Sequence, residues 1–356
     1  MVSIYIGATA GYSGKSLVSM GLGLRMKQDG FNVGYMKPFG RVPTIEGGTL
    51  TDGDALFMKK TLELTDALED ICPVVYTHDL MTEALRGKGR DVFAKVKAAY
   101  SRLAKGRDAL ILGGAKDFYD GSSIGVPATK LIKEFESKVV VVDPFDGDFC
   151  VDCLLSVKEL IGESLIGAVI NKVPPDGVEY MRKTAGPFLK KKGIPLLGVL
   201  PVDKVLNSIT IRQLNESLGG RVLCSHDRLD EFVENFSIGA MDVESALKYF
   251  RRTPNKAVVT GGHRSDIQLA ALETSTKCLV LTGDLLPNDL ILGKAQMAGV
   301  PIISVKHDTL STVERFEAIL GRARIREERK VSRAASLMQD NFDFDTFYAR
   351  AGLKRR

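Results

Sequence analysis

A glycine-rich segment near the amino end has the residue types that bind phosphate groups. Residues 7–16 read GATAGYSGKS. Gly11 and Gly14 allow backbone N–H groups to turn inward around an anion, and a helix beginning near Lys15 directs the positive end of its dipole at the same point. Lys15 would contact the β and γ phosphates of a nucleotide, and the Ser16 hydroxyl would be a ligand of Mg²⁺. The segment therefore predicts a phosphate loop that binds ATP and Mg²⁺.

The match to the strict phosphate-loop pattern fails at one position. Thr9 stands where the pattern has its first glycine, five residues before Gly14. The context supports the loop, because a β-rich run precedes it and helical spacing follows it. We expect the backbone at Tyr12 and Ser13 to contact the nucleotide as well. The alternative is a glycine-rich turn that only packs a helix on a sheet.

The elements that would hold this loop alternate between strand and helix. Nearly continuous apolar runs predict strands at residues 2–6, 32–36, 109–112, 138–142, 165–170 and 196–200. Such runs, separated by helices, indicate a parallel sheet with helices on both faces. We predict an α/β domain of the P-loop NTPase type at residues 1–205.

A second, smaller α/β domain is predicted at residues 206–325. Strand-like runs recur at residues 221–224, 257–260, 278–281 and 301–304, with helical patterns between them. Residues 326–356 are charged, have helical spacing and lack proline. We expect them to form a basic helical tail, an appendage that packs on a partner subunit of a homodimer.

Composition narrows the range of partners. The chain has 356 residues, of which 44% are apolar and 26% charged, as in globular proteins. The net charge of +5, from 49 basic and 44 acidic residues, argues against a nucleic-acid surface. No segment reaches the roughly 18 apolar residues of a membrane span. Five cysteines are an odd number and few for a chain of this length, so a disulfide framework is not expected. Together these features predict a cytoplasmic protein without membrane or nucleic-acid partners.

Two longer stretches resemble known families. With GATAGYSGKS at residues 7–16 and VGYMKPFG at residues 33–40, the first 200 or so residues resemble the dethiobiotin synthetase family and the N-terminal domain of long phosphotransacetylases. VENFSIGAMDVESALKYF and AVVTGGHRSDIQLAAL, from residues 233 and 257, resemble the DRTGG domain of the same transacetylases. The sequence contains no counterpart of their catalytic acetyltransferase domain.

The resemblance implies roles for three further residues. Lys37, in a Lys-Pro pair, would face the phosphates and the substrate, although a solvent-facing lysine at a strand end is the alternative. Asp54 would help to hold Mg²⁺, or else be an ordinary turn carboxylate. Asn171 would lie against the adenine ring, or else serve as a turn residue after a strand.

Two departures from the synthetase pattern weaken the expectation of its chemistry. The family's third strand ends in Glu-Gly-Ala-Gly-Gly, whose glutamate binds metal, whereas residues 113–117 here read GGAKD. Asp117 or Asp120 would have to replace that glutamate. The residues that would meet a diamine substrate are replaced by Ala10, Gly11 and Tyr12. Dethiobiotin synthesis is therefore not expected.

Other candidate residues favour structural interpretations. Arg264 and Ser265 could bind an anionic effector, but a capping role for Asp266 is preferred. Cys150 and Cys153 have the spacing of a redox or metal pair but no further ligands, so packing is preferred. The acidic residues around them, from Asp143 onward, are interpreted as a solvated turn.

Three functions remain open. The first is a regulatory or sensing module that binds ATP, or a related nucleotide, and passes its occupancy to a partner. The second is an ATP-dependent ligase or kinase that activates a carboxylate with Lys15, Ser16, Lys37 and Asp54. The third is an accessory scaffold that acts through protein contacts.

Overall fold

The computed structural model describes residues 1–88, 91–321 and 327–355. It divides into two compact units. The first contains Met1–Val202 together with the C-terminal helices, and the second begins at Asp203 and ends with the helix Thr309–Gly321. The arginines at positions 322, 324 and 326, the last of which begins the predicted basic tail, lie outside the described residues.

The first unit is built on a parallel sheet covered by helices on both faces. Its strands are β1 Val2–Ala8, β2 Val33–Met36, β3 Pro43–Glu46, β4 Thr49–Asp52, β5 Ala109–Gly113, β6 Lys138–Pro144, β7 Leu165–Val173 and β8 Leu196–Pro201. Its helices before the second unit are α1 Lys15–Gln28, α2 Gly53–Thr61, α3 Leu68–Ile71, α4 His78–Leu85, α5 Val92–Leu103, α6 Ala128–Glu134, α7 Phe149–Ile161, α8 Gly177–Tyr180 and α9 Gly186–Lys191.

Six of these strands form the sheet in the order β2-β5-β1-β6-β7-β8, and every described pairing is parallel. Because β1 lies between β5 and β6, with Ile6 opposite Gly113 and Ala8 opposite Val142, the chain leaving β1 emerges between the ends of two neighbouring strands. The strands are almost entirely buried, as their continuous apolar runs require. The predicted P-loop NTPase-type architecture is confirmed.

An antiparallel hairpin, β3 with β4, was not predicted, and it leads into α2. Asp52 ends this hairpin and caps α2: its Oδ1 accepts from the backbone N–H of Asp54 at 2.8 Å and of Ala55 at 3.2 Å. Its Oδ2 accepts from Val42 N at 2.8 Å. The carboxylate is fully buried, and these bonds fix the start of α2.

The second unit is a smaller α/β fold. Its strands are β9 Ile209–Thr210, β10 Arg221–Cys224, β11 Phe232–Val233, β12 Asn235–Ile238, β13 Lys256–Gly261, β14 Thr276–Thr282 and β15 Ile302–Ser304. Its helices are α10 Lys204–Asn207, α11 Ile211–Leu218, α12 Val243–Arg252, α13 Ser265–Leu272, α14 Asp289–Ala298 and α15 Thr309–Gly321. A five-stranded sheet has the order β10-β15-β14-β13-β12, in which only the edge strand β10 pairs antiparallel. The four strands predicted here are present.

The C-terminal helices, α16 Glu328–Asn341 and α17 Phe344–Ala351, are part of the first unit and not an appendage to it. Met338 packs against Gly21 of α1, and the Asp343 N–H donates to Leu197 O of β8 at 2.7 Å. The Tyr348 hydroxyl donates to Asp29 at the end of α1 at 2.7 Å. An apolar face with helical spacing, which includes Phe347, is buried in these contacts.

Among the described residues, none of the helices combines the length and the apolar character needed to cross a bilayer.

Phe347→Ala tests whether the C-terminal helices belong to the core of the first unit. Phe347 is fully buried and packs against the Phe342 and Tyr348 rings. Removing it should lower the free energy of unfolding by about 3–5 kcal/mol, measured by urea denaturation. Phe188→Ala, on an exposed aromatic of the same unit, is the control and should cost much less. Equal losses in the two variants would contradict the burial described here.

Candidate phosphate-binding site

The loop at residues 9–14 connects β1 to α1 and has a backbone that only glycine can adopt at its last position. Gly14 has φ 101° and ψ 16°, in the left-handed region, and Tyr12 has φ 58°. A Cβ at Gly14 would also overlap the side-chain amide of Asn171. Both facts exclude a side chain at Gly14. Helix α1, which follows, has no acidic residue in its first turn, so its N-terminus keeps its attraction for anions.

Asn171 supports the loop from the neighbouring strand β7. The register of β7 shifts between Ile170 and Val173, and Lys172 has φ 59°. This irregularity directs the Asn171 amide at the loop, where Nδ2 donates to Ser13 O at 2.8 Å. Asn171 is buried, so it is not an ordinary turn residue. Its contact with adenine, which the family resemblance implies, stays a prediction.

Thr9 ties the other side of the loop to β6. Its hydroxyl donates to Asp143 Oδ1 at the end of that strand. Asp143 is buried, and this burial, together with the charge of Asp146, raises its pKa to about 7. The interpretation of Asp143 as part of a solvated turn is therefore wrong. Thr9, which interrupts the glycine pattern, supplies an anchor that the pattern does not contain.

Lys15 points toward the chain that follows β5. Its Nζ donates to Lys116 O at 2.8 Å, and the residue is only partly exposed. Burial, then the positive charge of Lys37, lowers the pKa of Lys15 to about 8, against the opposing effects of three carboxylates. Two ammonium groups therefore lie near each other at this end of the sheet, where an anion would relieve their repulsion.

Lys37 is held between two carboxylates just after β2. Its Nζ lies 3.0 Å from Asp52 Oδ1 and 2.8 Å from Asp54 Oδ2. Burial alone would lower the pKa of Lys37, but the charges of Asp54 and Asp52 outweigh it and the pKa is raised. Lys37 is buried, so a solvent-facing lysine is excluded. Asp54 reaches the same group of charges and is not an isolated turn carboxylate.

The position where the family resemblance implies a metal-binding glutamate is occupied by Gly113, and a side chain there would have to displace Tyr35. Gly113 ends β5, and a Cβ there would overlap the hydroxyl of Tyr35 on the adjacent strand β2. Burial, then the charges of Asp54 and Asp52, raises the pKa of Tyr35, so its hydroxyl stays protonated. Glycine at position 113 and the buried hydroxyl of Tyr35 therefore depend on each other, because the hydroxyl occupies the space that a side chain at position 113 would need.

Asp117 and Asp120 are engaged within their own loop. Asp117 Oδ1 accepts from the backbone N–H of Tyr119 and Asp120 at 2.9 and 3.1 Å. Asp120 accepts from Lys116 N at 2.8 Å and from Arg41 Nη1 at 3.0 Å. Nothing in these contacts favours either carboxylate as a replacement for the missing glutamate.

The residues fit a nucleotide phosphate, and they fit Mg²⁺ when it arrives with the phosphates. Ser13 is fully buried, and its Oγ has no hydrogen-bond partner in the part of the chain that the structure describes. Within those same residues no group of three or more His, Cys, Asp and Glu side chains could hold a metal by itself. Mg²⁺ usually takes only one or two protein oxygens beside phosphates and waters. The Ser16 hydroxyl and Asp54 would supply them.

The candidate residues outside this site have structural partners. Helix α13 begins after Arg264 without a side-chain cap, so the capping role predicted for Asp266 is wrong. Asp266 instead forms a bidentate pair with Arg264, at 2.9 and 2.8 Å. Cys150 is buried and donates to Gly147 O at 3.1 Å, and burial raises its pKa to about 11. A buried thiol that resists ionisation agrees with the packing interpretation for Cys150. Cys153 is exposed, so the packing interpretation is wrong for that residue.

The parallel sheet, with its glycine-rich loop between β1 and α1, defines a P-loop NTPase-type fold. Family models match both units: a model described as an AAA domain matches residues 2–210, and the DRTGG domain model matches residues 213–319. Because the first match covers more than half of the chain, the protein belongs to this AAA-domain family of dethiobiotin synthetase-like P-loop domains, here followed by a DRTGG domain.

Individual relatives agree with this assignment. The phosphate acetyltransferase of Nitratidesulfovibrio vulgaris is 27% identical over 371 residues, covering 96% of this chain and 50% of the relative. That of Synechocystis sp. is 22% identical over 358 residues, with the same coverage. An ATP-dependent dethiobiotin synthetase of Methanococcus vannielii is 27% identical over 224 residues, which are 60% of this chain and 99% of the relative. The chain spans about half the length of the acetyltransferases that it matches.

Gly113→Ala should destabilise the first unit because the new methyl group overlaps the Tyr35 hydroxyl. We expect a loss of about 1–3 kcal/mol in the free energy of unfolding, measured by chemical denaturation. Adding Tyr35→Phe should restore part of it, since the closest overlap is with the hydroxyl oxygen. Gly293→Ala, where no atom lies within 4 Å of the new Cβ, is the control. Additive effects of the two site substitutions would argue against the contact.

Asp143→Asn should change how stability depends on pH. The pKa of Asp143 is raised from 3.8 to about 7 on folding, so between these values the folded state binds more protons than the unfolded state. In the parent, this group therefore lowers the free energy of unfolding as pH rises through that window. Asparagine keeps an acceptor for Thr9 but does not titrate.

The gain of the Asp143→Asn variant over the parent should grow from pH 4 to pH 7 and then level off, as followed by denaturation at each pH. Asp176→Asn, on an exposed turn of the same unit, should show no such trend. A difference that is constant with pH would contradict the burial of a titrating carboxyl beside Thr9.

Proposed function

We propose that the protein is an ATP- and Mg²⁺-binding regulatory or sensing module. The observation that carries the proposal is the shape of the loop. Left-handed Gly14, the half-buried ammonium of Lys15 and buried Ser13, whose Oγ has no partner among the described residues, lie together at the N-terminus of α1. Inward backbone donors, a lysine and a helix N-terminus together are the groups that recognise a nucleotide's phosphates.

Binding without rapid turnover is favoured by the state of the carboxylates. The family's metal-binding glutamate is replaced by Gly113, with the Tyr35 hydroxyl in its place. Asp52 is occupied as a helix cap, and Asp54, the carboxylate expected to contact Mg²⁺, is shared with Lys37. With few oxygens available to a metal, we expect poor stabilisation of the charge that develops during phosphoryl transfer. Slow hydrolysis agrees with a sensing role, because the bound ATP then persists long enough for a partner to respond to it.

The regulatory role draws further support from the relatives. Proteins named phosphate acetyltransferase share both units of this chain within about half of their own length. We infer that nucleotide occupancy of the first unit is passed to a partner, with a homodimer in the cytoplasm as the working assembly. The DRTGG unit would then be the place of a small-molecule effector.

An ATP-dependent ligase or kinase is the second candidate. Lys15, Lys37, Ser16 and Asp54 would supply charge neutralisation, which is most of what phosphoryl transfer requires. The relative from Methanococcus vannielii, named as an ATP-dependent dethiobiotin synthetase, aligns over nearly all of its length with the unit that holds these residues. A scaffold that acts only through protein contacts is the third candidate, and it needs no nucleotide.

Lys15→Ala should reduce ATP affinity by about a hundredfold, because it removes the ammonium group at the phosphate loop. Isothermal titration of the parent and the variant with ATP and Mg²⁺ measures this. Lys105→Ala, an exposed lysine in the same unit, should leave the affinity unchanged. Parallel phosphate-release assays divide the candidates: binding without sustained release favours sensing, and sustained release favours the enzyme. A variant that binds ATP as tightly as the parent, or a parent that does not bind, rejects both nucleotide hypotheses.

A further inference from the structure

Lys116 lies beside the phosphate loop, at a position where the dethiobiotin synthetase pattern has glycine. It belongs to the loop that follows β5. A Cβ built on Gly11 would lie 3.3 Å from Lys116 Cγ and 3.6 Å from its Cε, so the aliphatic part of the lysine runs along the backbone of the phosphate loop. The side chain therefore packs on the loop that would surround the phosphates.

Hydrogen bonds fix the backbone of Lys116. Its N–H donates to Asp120 Oδ2 at 2.8 Å, and Asp120 is held by both of its oxygens to Arg41 Nη1 at 3.0 Å. Its carbonyl accepts from Lys15 Nζ at 2.8 Å. The residue is thus bonded on one side to Asp120, which links it to Arg41 in the loop that follows β2, and on the other to the phosphate-loop lysine. Such a position is preorganised, which lowers the cost of using its side chain in binding.

The ammonium group of Lys116 is accessible to a ligand. Its side chain is 57% exposed, and among the described residues its closest ion-pair contact is with Asp117 Oδ2, 3.8 Å away. That distance is too long for a strong hydrogen bond, so a phosphate oxygen would compete for the group with little loss. Lys15 has three N–H donors, so it can keep its bond to the Lys116 carbonyl while another N–H reaches the same phosphates.

We propose that Lys116 is a third phosphate-binding lysine, whose Nζ contacts the terminal phosphate of a bound nucleoside triphosphate. The proposal rests on the proposed nucleotide binding and deepens it. Three lysines, Lys15, Lys37 and Lys116, would together neutralise the negative charge of the phosphates. In the synthetase pattern, the metal held by the glutamate at the position of Gly113 would take part of that role. The third cation makes the site selective for a triphosphate over a diphosphate, because only the longer chain reaches it.

Lys116→Met tests this role with little change in packing, since methionine keeps an unbranched apolar side chain against Gly11. Affinities for ATP and ADP, each with Mg²⁺, are measured by isothermal titration. We expect ATP binding to weaken about tenfold and ADP binding to change less than about twofold, as for the loss of one charge-assisted contact. Lys116→Arg should retain most of the ATP affinity. Lys105→Met, an exposed lysine elsewhere in the unit, should match the parent for both nucleotides.

The outcomes separate this inference from the function on which it rests. Tight ATP binding by the parent together with an unchanged affinity in Lys116→Met overturns the role of Lys116 and leaves nucleotide binding intact. If Lys116→Met loses ATP affinity and ADP affinity by the same factor, the contact with the terminal phosphate is also overturned, because equal losses would indicate a general effect on the loop. A parent that binds neither nucleotide overturns both proposals. Circular dichroism and thermal unfolding of each variant identify a loss that is due to misfolding.

Discussion

The structure of the candidate site depends on one constraint at Gly14, in the loop that follows β1. The backbone there is left-handed, and the Asn171 amide occupies the space that a side chain would need. A loop of this kind has few contacts of its own, so its shape is set by the strands beside it. Asn171 of β7 holds Ser13 O, and Asp143 of β6 receives the Thr9 hydroxyl. The parallel order of the sheet is what brings these strand ends together. Fold and site are thus linked through the register of a few strands.

The charges around the loop are arranged by the same structure. Lys37 is held between Asp52 and Asp54, and Asp52 is buried because it caps α2 and closes the preceding hairpin. Removing either partner of a buried pair leaves an uncompensated charge, which costs far more than the pair itself contributes. The position of Lys37 is therefore fixed before any ligand arrives. Lys15, by contrast, donates to a neutral carbonyl oxygen with one of its three N–H groups, so it can also donate to a charged phosphate.

The sequence predicted the sheet well because its strands are short, continuous apolar runs separated by segments with helical spacing. It missed the β3–β4 hairpin, whose short strands are mostly polar and lack a continuous apolar run. It also took α16 and α17 for an appendage, because their basic residues outweighed the apolar face that they bury. Lys15, Asp54 and Asn171 were predicted as site residues from motif and resemblance, and their ligand contacts stay predictions. The hydrogen bond from Asn171 to Ser13 O was not predicted, because the irregularity in β7 that directs the amide has no sequence signature. Asp143 was missed because an aspartate before proline and further acidic residues looks like a turn.

The pairing of Gly113 with Tyr35 could be recognised only once β2 and β5 were known to be neighbours. It changes how the missing glutamate is understood. A single replacement by glycine could be reversed by a single mutation, whereas here the vacated space is filled by a buried hydroxyl near two carboxylates. Restoring the glutamate would bring a third negative charge to that place and displace the tyrosine. Under the proposed function, the site keeps the loop and the lysines, the groups that binding needs more than turnover does, and lacks the glutamate that the resemblance implies as a metal ligand.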